Sequence, residues 1–183
     1  MSAAAARAKG RLIAVDGLDA AAVHAAAKAA LVSPSRGGIS RWDASGVFQD
    51  LAVAGGGAGA PSARTLLLLY AADLAFRLRW QIRPALAEGR TVIAAPYVAT
   101  AVAFGRAAGL PRTWLATLFA FAPQPNGRRF AHPARGANAL AARDGFVGFG
   151  CERMARVDGP AQGLLIEKTA AYLRGADRLR PRR

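Results

Sequence analysis

The sequence predicts a three-layer α/β fold around a mostly parallel sheet, and three observations carry that expectation. Short apolar runs with β-branched residues stand at Arg11–Asp16 and Thr91–Ala95, and helical patterns separate them. The first run passes through Gly17-Leu18-Asp19 straight into an alanine-rich stretch, the strand, turn and helix that open a βαβ unit. With 183 residues, 53% of them hydrophobic and 20% charged, the chain can bury one real core, which excludes a disordered basic tail. We expect a single domain over residues 11–175, with an N-terminal tail over 1–10 and a basic tail over 176–183.

Arg11–Asp16 reads as a strand buried on both faces. Ala20–Val32 is alanine-rich and therefore helical by intrinsic propensity, and it ends before Ser33-Pro34-Ser35-Arg36-Gly37-Gly38. The glycine-rich Gly55–Ser62 reads as a surface connection too poor in side chains to pack. Ala63–Leu86 reads as one long helix with Leu67, Tyr70, Leu74 and Leu78 on its apolar face. Arg77, Arg79 and Arg83 lie elsewhere on its circumference, as solvated arginines, and Pro84 kinks its last turn. Thr91–Ala95 is a second strand, and Tyr97–Gly109 and Pro111–Ala122 are helices, the latter with proline where a missing N–H costs nothing. Between Pro123 and Gly145 the pattern weakens, with a short strand expected at Arg128–Ala131 and a helical turn or two at Ala137–Arg143. A last strand over Met154–Asp158 and a closing helix over Ala161–Leu173 complete the order.

Composition removes several functional classes. The single cysteine, Cys151, can form neither an internal disulfide nor a zinc cluster. The N-terminus lacks the apolar stretch of a signal peptide, and no run is long and apolar enough to cross a membrane, so a cytoplasmic protein with no metal site is expected. The formal charge of +14 invites a nucleic-acid partner. However, only Lys9, Lys28 and Lys168 are lysines, so arginine carries the rest of the 25 basic residues beside abundant Ala and Gly. All three of these residue types have GC-rich codons, so biased genome composition explains the charge as well as a polyanion partner does. No aromatic residues interleave the basic runs to make a stacking platform.

Several strings resemble the thymidylate kinase family of P-loop nucleoside monophosphate kinases. The clearest is Leu69-Tyr70-Ala71-Ala72-Asp73-Leu74-Ala75, followed by Ile82-Arg83-Pro84-Ala85-Leu86-Ala87-Glu88-Gly89-Arg90-Thr91-Val92-Ile93. Val15-Asp16-Gly17-Leu18-Asp19 resembles the family's first strand and turn, Gly37-Gly38 its glycine loop, and Val157-Asp158-Gly159-Pro160 its last strand. The resemblance implies a P-loop kinase-like fold with a shortened lid region, since only Pro123–Arg153 is available where the family places an arginine-bearing lid and a further strand and helix. It also implies that Asp19 contacts a deoxyribose, that Tyr70 stacks on a base, and that Asp73 and Tyr97 complete a nucleoside monophosphate site.

Phosphoryl transfer needs backbone N–H groups and a lysine around the donor phosphates, a hydroxyl on Mg²⁺, and cations over the transferred group. At the degenerate phosphate-loop positions Gly17, Asp19, Ala22, Val23 and His24, alanine stands for the glycine, valine for the lysine and histidine for the hydroxyl. Ala95-Pro96-Tyr97 stands where the family carries Asp-Arg-Tyr. Leu74 replaces an arginine that faces the acceptor phosphate, while Arg36 and Arg77 are the nearest substitute cations. The expectation is a non-catalytic, thymidylate-kinase-like protein acting as a nucleotide-binding or scaffold subunit, with no intact catalytic residue and no cofactor. Arg36, Gly37, Gly38, Tyr70, Asp73, Arg77 and Tyr97 are its candidate ligand contacts, and a second copy or another protein is a candidate partner. The alternatives are an active dTMP kinase using ATP and Mg²⁺ through a rearranged site, and a basic nucleic-acid or protein binding module. Asp19 as a helix cap, and Tyr70 and Tyr97 as core aromatics, are the plainer readings of those side chains.

Overall fold

The computed structural model describes residues 9–31, 37–54, 60–132, 145–154 and 159–178. Arg36, the Gly55–Gly59 run, the expected turns over 137–143, residues 155–158 of the expected last strand and the chain after Arg178 lie outside them. Strand β1 (Arg11–Gly17) leads into helix α1 (Ala20–Ala30), and β2 (Gly37–Arg41) into α2 (Val47–Val53). Helix α3 (Ala63–Arg77) continues through a π-helical turn at Leu78–Ile82 into α4 (Arg83–Ala87), then β3 (Thr91–Ala95). After these come α5 (Val98–Ala107), α6 (Arg112–Leu118), β4 (Gly127–Ala131), α7 (Phe146–Arg153) and α8 (Gly159–Arg178).

The four strands among the described residues form one parallel sheet in the order β2-β3-β1-β4, with Ile13 opposite Ile93 on one side and Gly127 on the other. Because side chains alternate across a strand, Leu12 and Ala14 point to one face of the sheet and Val15 to the other. The first face, with Val92 and Ala94, packs against α3, α5, α6, α7 and α8. The second is covered by Val23, Ala27 and Ala30 of α1 against Val15, Ile93 and Ala95. This is the predicted three-layer arrangement.

Four expectations are corrected. Gly37 and Gly38 begin strand β2 rather than a loop; they pair with Thr91 and Val92, and backbone hydrogen bonding to β3 does what side chains cannot. The helix from Ala63 is not uniform: the N–H of Arg83 reaches the carbonyl of Leu78 in the wide turn immediately before Pro84. Proline lacks the N–H that a regular helix would direct to Trp80, and the wider turn relieves that mismatch. Met154 does not begin a strand but caps the C-terminus of α7. Ala176 to Arg178, expected in a tail, extend α8.

Candidate functional site

Gly17 ends β1 where its neighbours leave no room for a side chain; an added Cβ would lie 2.8 Å from both the Ala131 carbonyl and Val23 Cγ2. Asp19 then caps α1, its Oδ1 accepting from the Ala22 N–H at 2.6 Å, while the Val23 N–H donates to the Asp19 carbonyl at 2.9 Å. Val23 is buried in the α1-side core. His24, one position on, is half-buried, and burial, with Lys28 and Arg41 nearby, holds its imidazole below the usual histidine pKa. A helix N-terminus attracts anions through free N–H groups and the positive end of its dipole. In α1 a carboxylate of the chain already occupies that position. Asp19→Ala is expected to cost about 0.5–2 kcal/mol of stability through loss of this cap, read as a lower denaturation midpoint in urea.

At the next strand end a second carboxylate organises the backbone. Asp16 is 2% exposed, and its Oδ1 accepts from the N–H groups of Tyr97 (3.0 Å) and Thr100 (2.9 Å) and from the Thr100 hydroxyl (2.9 Å). It thus caps α5 from a neighbouring strand. Burial raises its carboxyl pKa despite these donors. Between the unfolded value and this raised folded value the native protein binds more protons than the unfolded chain, so the contribution of Asp16 to stability falls as pH rises through that window. Asp16→Asn keeps the acceptor oxygen and is expected to remove this slope, checked by comparing melting temperatures of the two proteins from about pH 4 upward.

Tyr70, Asp73 and Tyr97, expected beside Asp19 at a nucleoside monophosphate site, are buried and bonded to the chain itself. Tyr70 is 0% exposed, donates its hydroxyl to the Tyr97 carbonyl at 2.6 Å, and lies 4.5 Å from Phe146 between ring centroids. Phe146 is also 5.3 Å from Phe104, 5.8 Å from Phe48 and 5.9 Å from Trp42. Asp73 accepts from the Asp43 N–H at 3.1 Å, and from the Ser45 N–H and hydroxyl at 3.0 and 2.9 Å. Arg77, expected at the surface, is 0% exposed: its Nε stands 3.1 Å from Asp73, and Nη1 donates to the Pro96 carbonyl at 3.1 Å. The i, i+4 spacing to Asp73 allows the pair to form within α3, where burial makes each charge require the other. Tyr97 is buried, donates to the Pro123 carbonyl at 2.8 Å, and has its phenol pushed up to about 12 by burial.

Above these groups a cleft of about 640 Å³ opens between the β1–α1 turn and the end of β2, with His24, Arg41, Trp42, Gly38 and Phe146 on its walls. Structure therefore brings Gly17, His24, Gly38 and the Ala95-Pro96 turn to one crevice, and places Tyr70, Asp73 and Arg77 in the core beneath it. Arg41, Trp42 and Phe146 are wall residues that sequence reasoning missed. Phe146 and Phe149, two aromatics on one turn of α7 within a glycine-rich stretch, were the signal available for them.

A parallel sheet in this order, flanked by helices on both faces, with its crevice at the carboxyl ends of β1 and β3, is the P-loop kinase-like architecture. Among solved structures, thymidylate kinase from Ehrlichia chaffeensis superposes with a TM-score of 0.57 over 86% of this chain and 97% of that one, at 16% identity, a likeness of fold. In sequence, 59 residues are 42% identical to a probable thymidylate kinase of Pyrococcus horikoshii, and 59 are 41% identical to that of Pyrococcus abyssi. Each match covers 32% of this chain and 29% of the relative. No protein-family model matches the chain. The chain is thymidylate-kinase-like in fold and, over that stretch, in sequence.

Proposed function

We propose that this thymidylate-kinase-like protein does not transfer phosphate and acts as a scaffold or interaction subunit. The observation that carries the reading is the first turn of α1, where Ala22, Val23 and His24 stand at the three donor-phosphate positions and the Ala22 N–H is already bonded to Asp19. Val23 supplies no positive charge at the lysine position and is buried. His24 is a poor ligand for Mg²⁺, which prefers hard oxygen donors. The residues present therefore do not fit ATP and Mg²⁺. Phe146 supports the same reading on the acceptor side, because its ring covers the aromatic that the family resemblance would give to a base. Arg77, the substitute cation of an active-kinase alternative, is committed to Asp73.

An exposed stripe on one long helical face supports an interaction role. Leu68, Phe76 and Trp80 are 51%, 38% and 64% exposed at helical spacing, and Arg79 lies over the Trp80 ring. Such apolar patches on a folded surface mark association sites. We expect no thermal shift with millimolar ATP and Mg²⁺, and no phosphorylation of dTMP. Turnover of dTMP that disappears on Asp19→Ala would overturn the reading.

A further inference from the structure

A second cavity, of about 580 Å³, lies between α5, α6, α8 and the segment around Pro123, and shares no wall with the cleft above Tyr70. Its walls are largely apolar, with Val98 and Val102 of α5, Leu115 of α6 and Phe119 just beyond that helix. Arg106, Arg112 and Arg128 line it from three different elements. Arg112 and Arg128 are exposed, and Arg106 is half-buried with its guanidinium 5.3 Å from the Tyr172 ring. Asp73, Glu88 and Asp177 pair with Arg77, Arg90 and His132, so these three carboxylates are engaged away from the three arginines. The Arg128 Nη2 donates to the neutral Gln124 side chain, at 2.7 Å. The carboxyl that does border the cavity, Asp16, is engaged with the start of α5.

A mostly apolar cavity of ligand size with a few polar groups on its walls is the usual form of a small-molecule site. We infer that this cavity binds an amphipathic anion, an apolar chain of medium length ending in a carboxylate, with the chain between α5 and α6 and the charged end among Arg106, Arg112 and Arg128. Guanidinium groups suit this role because their paired N–H donors match a carboxylate and stay charged at any physiological pH. The wall side chains supply the remaining affinity by removing the chain from water.

The test is titration calorimetry with decanoate below its aggregation concentration, at low salt, with decyltrimethylammonium as the charge-reversed control. Saturable one-to-one binding of decanoate alone is expected, weakened about two- to fivefold by Arg112→Ala or Arg128→Ala, as for a solvent-facing ion pair. Gly175 borders the cavity on α8, and an added Cβ there meets nothing within 4 Å, so Gly175→Trp is a blocking variant whose first side-chain atom meets no clash. This variant should keep or raise the melting temperature, since glycine is a weak helix former, and should abolish decanoate binding. Ala116→Trp, from the exposed side of α6, is the second blocking variant. Equal binding of the cationic control, binding unchanged in either blocked variant or in both arginine variants, or no saturable binding to the wild-type protein would each overturn the inference.

Discussion

Arg77→Met is expected to lower the unfolding free energy by about 3–5 kcal/mol, the cost of stranding one member of a buried ion pair. Both side chains of the Asp73–Arg77 pair have no exposed surface. Without Arg77 the Asp73 carboxylate keeps its donors at Asp43 and Ser45 but faces no compensating charge, and the carbonyls of Ser40 and Pro96 lose a donor. The double variant Asp73→Leu with Arg77→Met is expected to be less destabilised than the sum of the single ones, because an apolar pair of similar volume leaves no orphaned charge. Urea denaturation of the four proteins gives both numbers. Additive losses would mean that the two residues act independently, against the geometry.

Phe146→Ala is expected to cost about 3–5 kcal/mol, the range for deleting a fully buried aromatic. The ring is 1% exposed and touches Tyr70, Phe104, Phe48 and Trp42, which come from four different elements or turns. The space it vacates is walled by these rings and adjoins the cleft that Phe146 lines, so a benzene-sized molecule can enter it. Toluene should therefore raise the melting temperature of the variant and leave that of the wild-type protein unchanged. A toluene response equal in both proteins would place the ring outside the core.

The strands and helices that burial alone defines were legible from sequence. Arg11–Asp16 and Thr91–Ala95 are apolar on both faces, and only a central parallel strand uses such a pattern. Gly37–Arg41 carries no apolar run, so its place in the sheet follows from pairing with β3, a long-range contact that local reading does not contain. Helix α7 was missed because Gly148 and Gly150 lower its propensity, yet Gly150 is where the Phe104 ring packs, with an added Cβ only 2.8 Å from it. At the site, the cap role of Asp19 followed from its place before an alanine-rich helix. The burial of Arg77 did not, since an arginine at i+4 from an aspartate reads equally as a surface pair, and its surroundings are set by Ser40 and Pro96 from distant parts of the chain.

The position of β1 has a kinetic consequence. It precedes both of its neighbours in the chain and sits inside the sheet, with Arg11 paired to Thr91 and Ile13 to Gly127. Its two neighbours are synthesised long after it, so closing the sheet requires large loops to be ordered before any strand contact forms, a topology of high contact order. Thr91–Ala95 must be made before β1 gains its first strand neighbour, and Gly127–Ala131 before it gains its second. Through that interval the apolar β1 segment is open to capture by a chaperone.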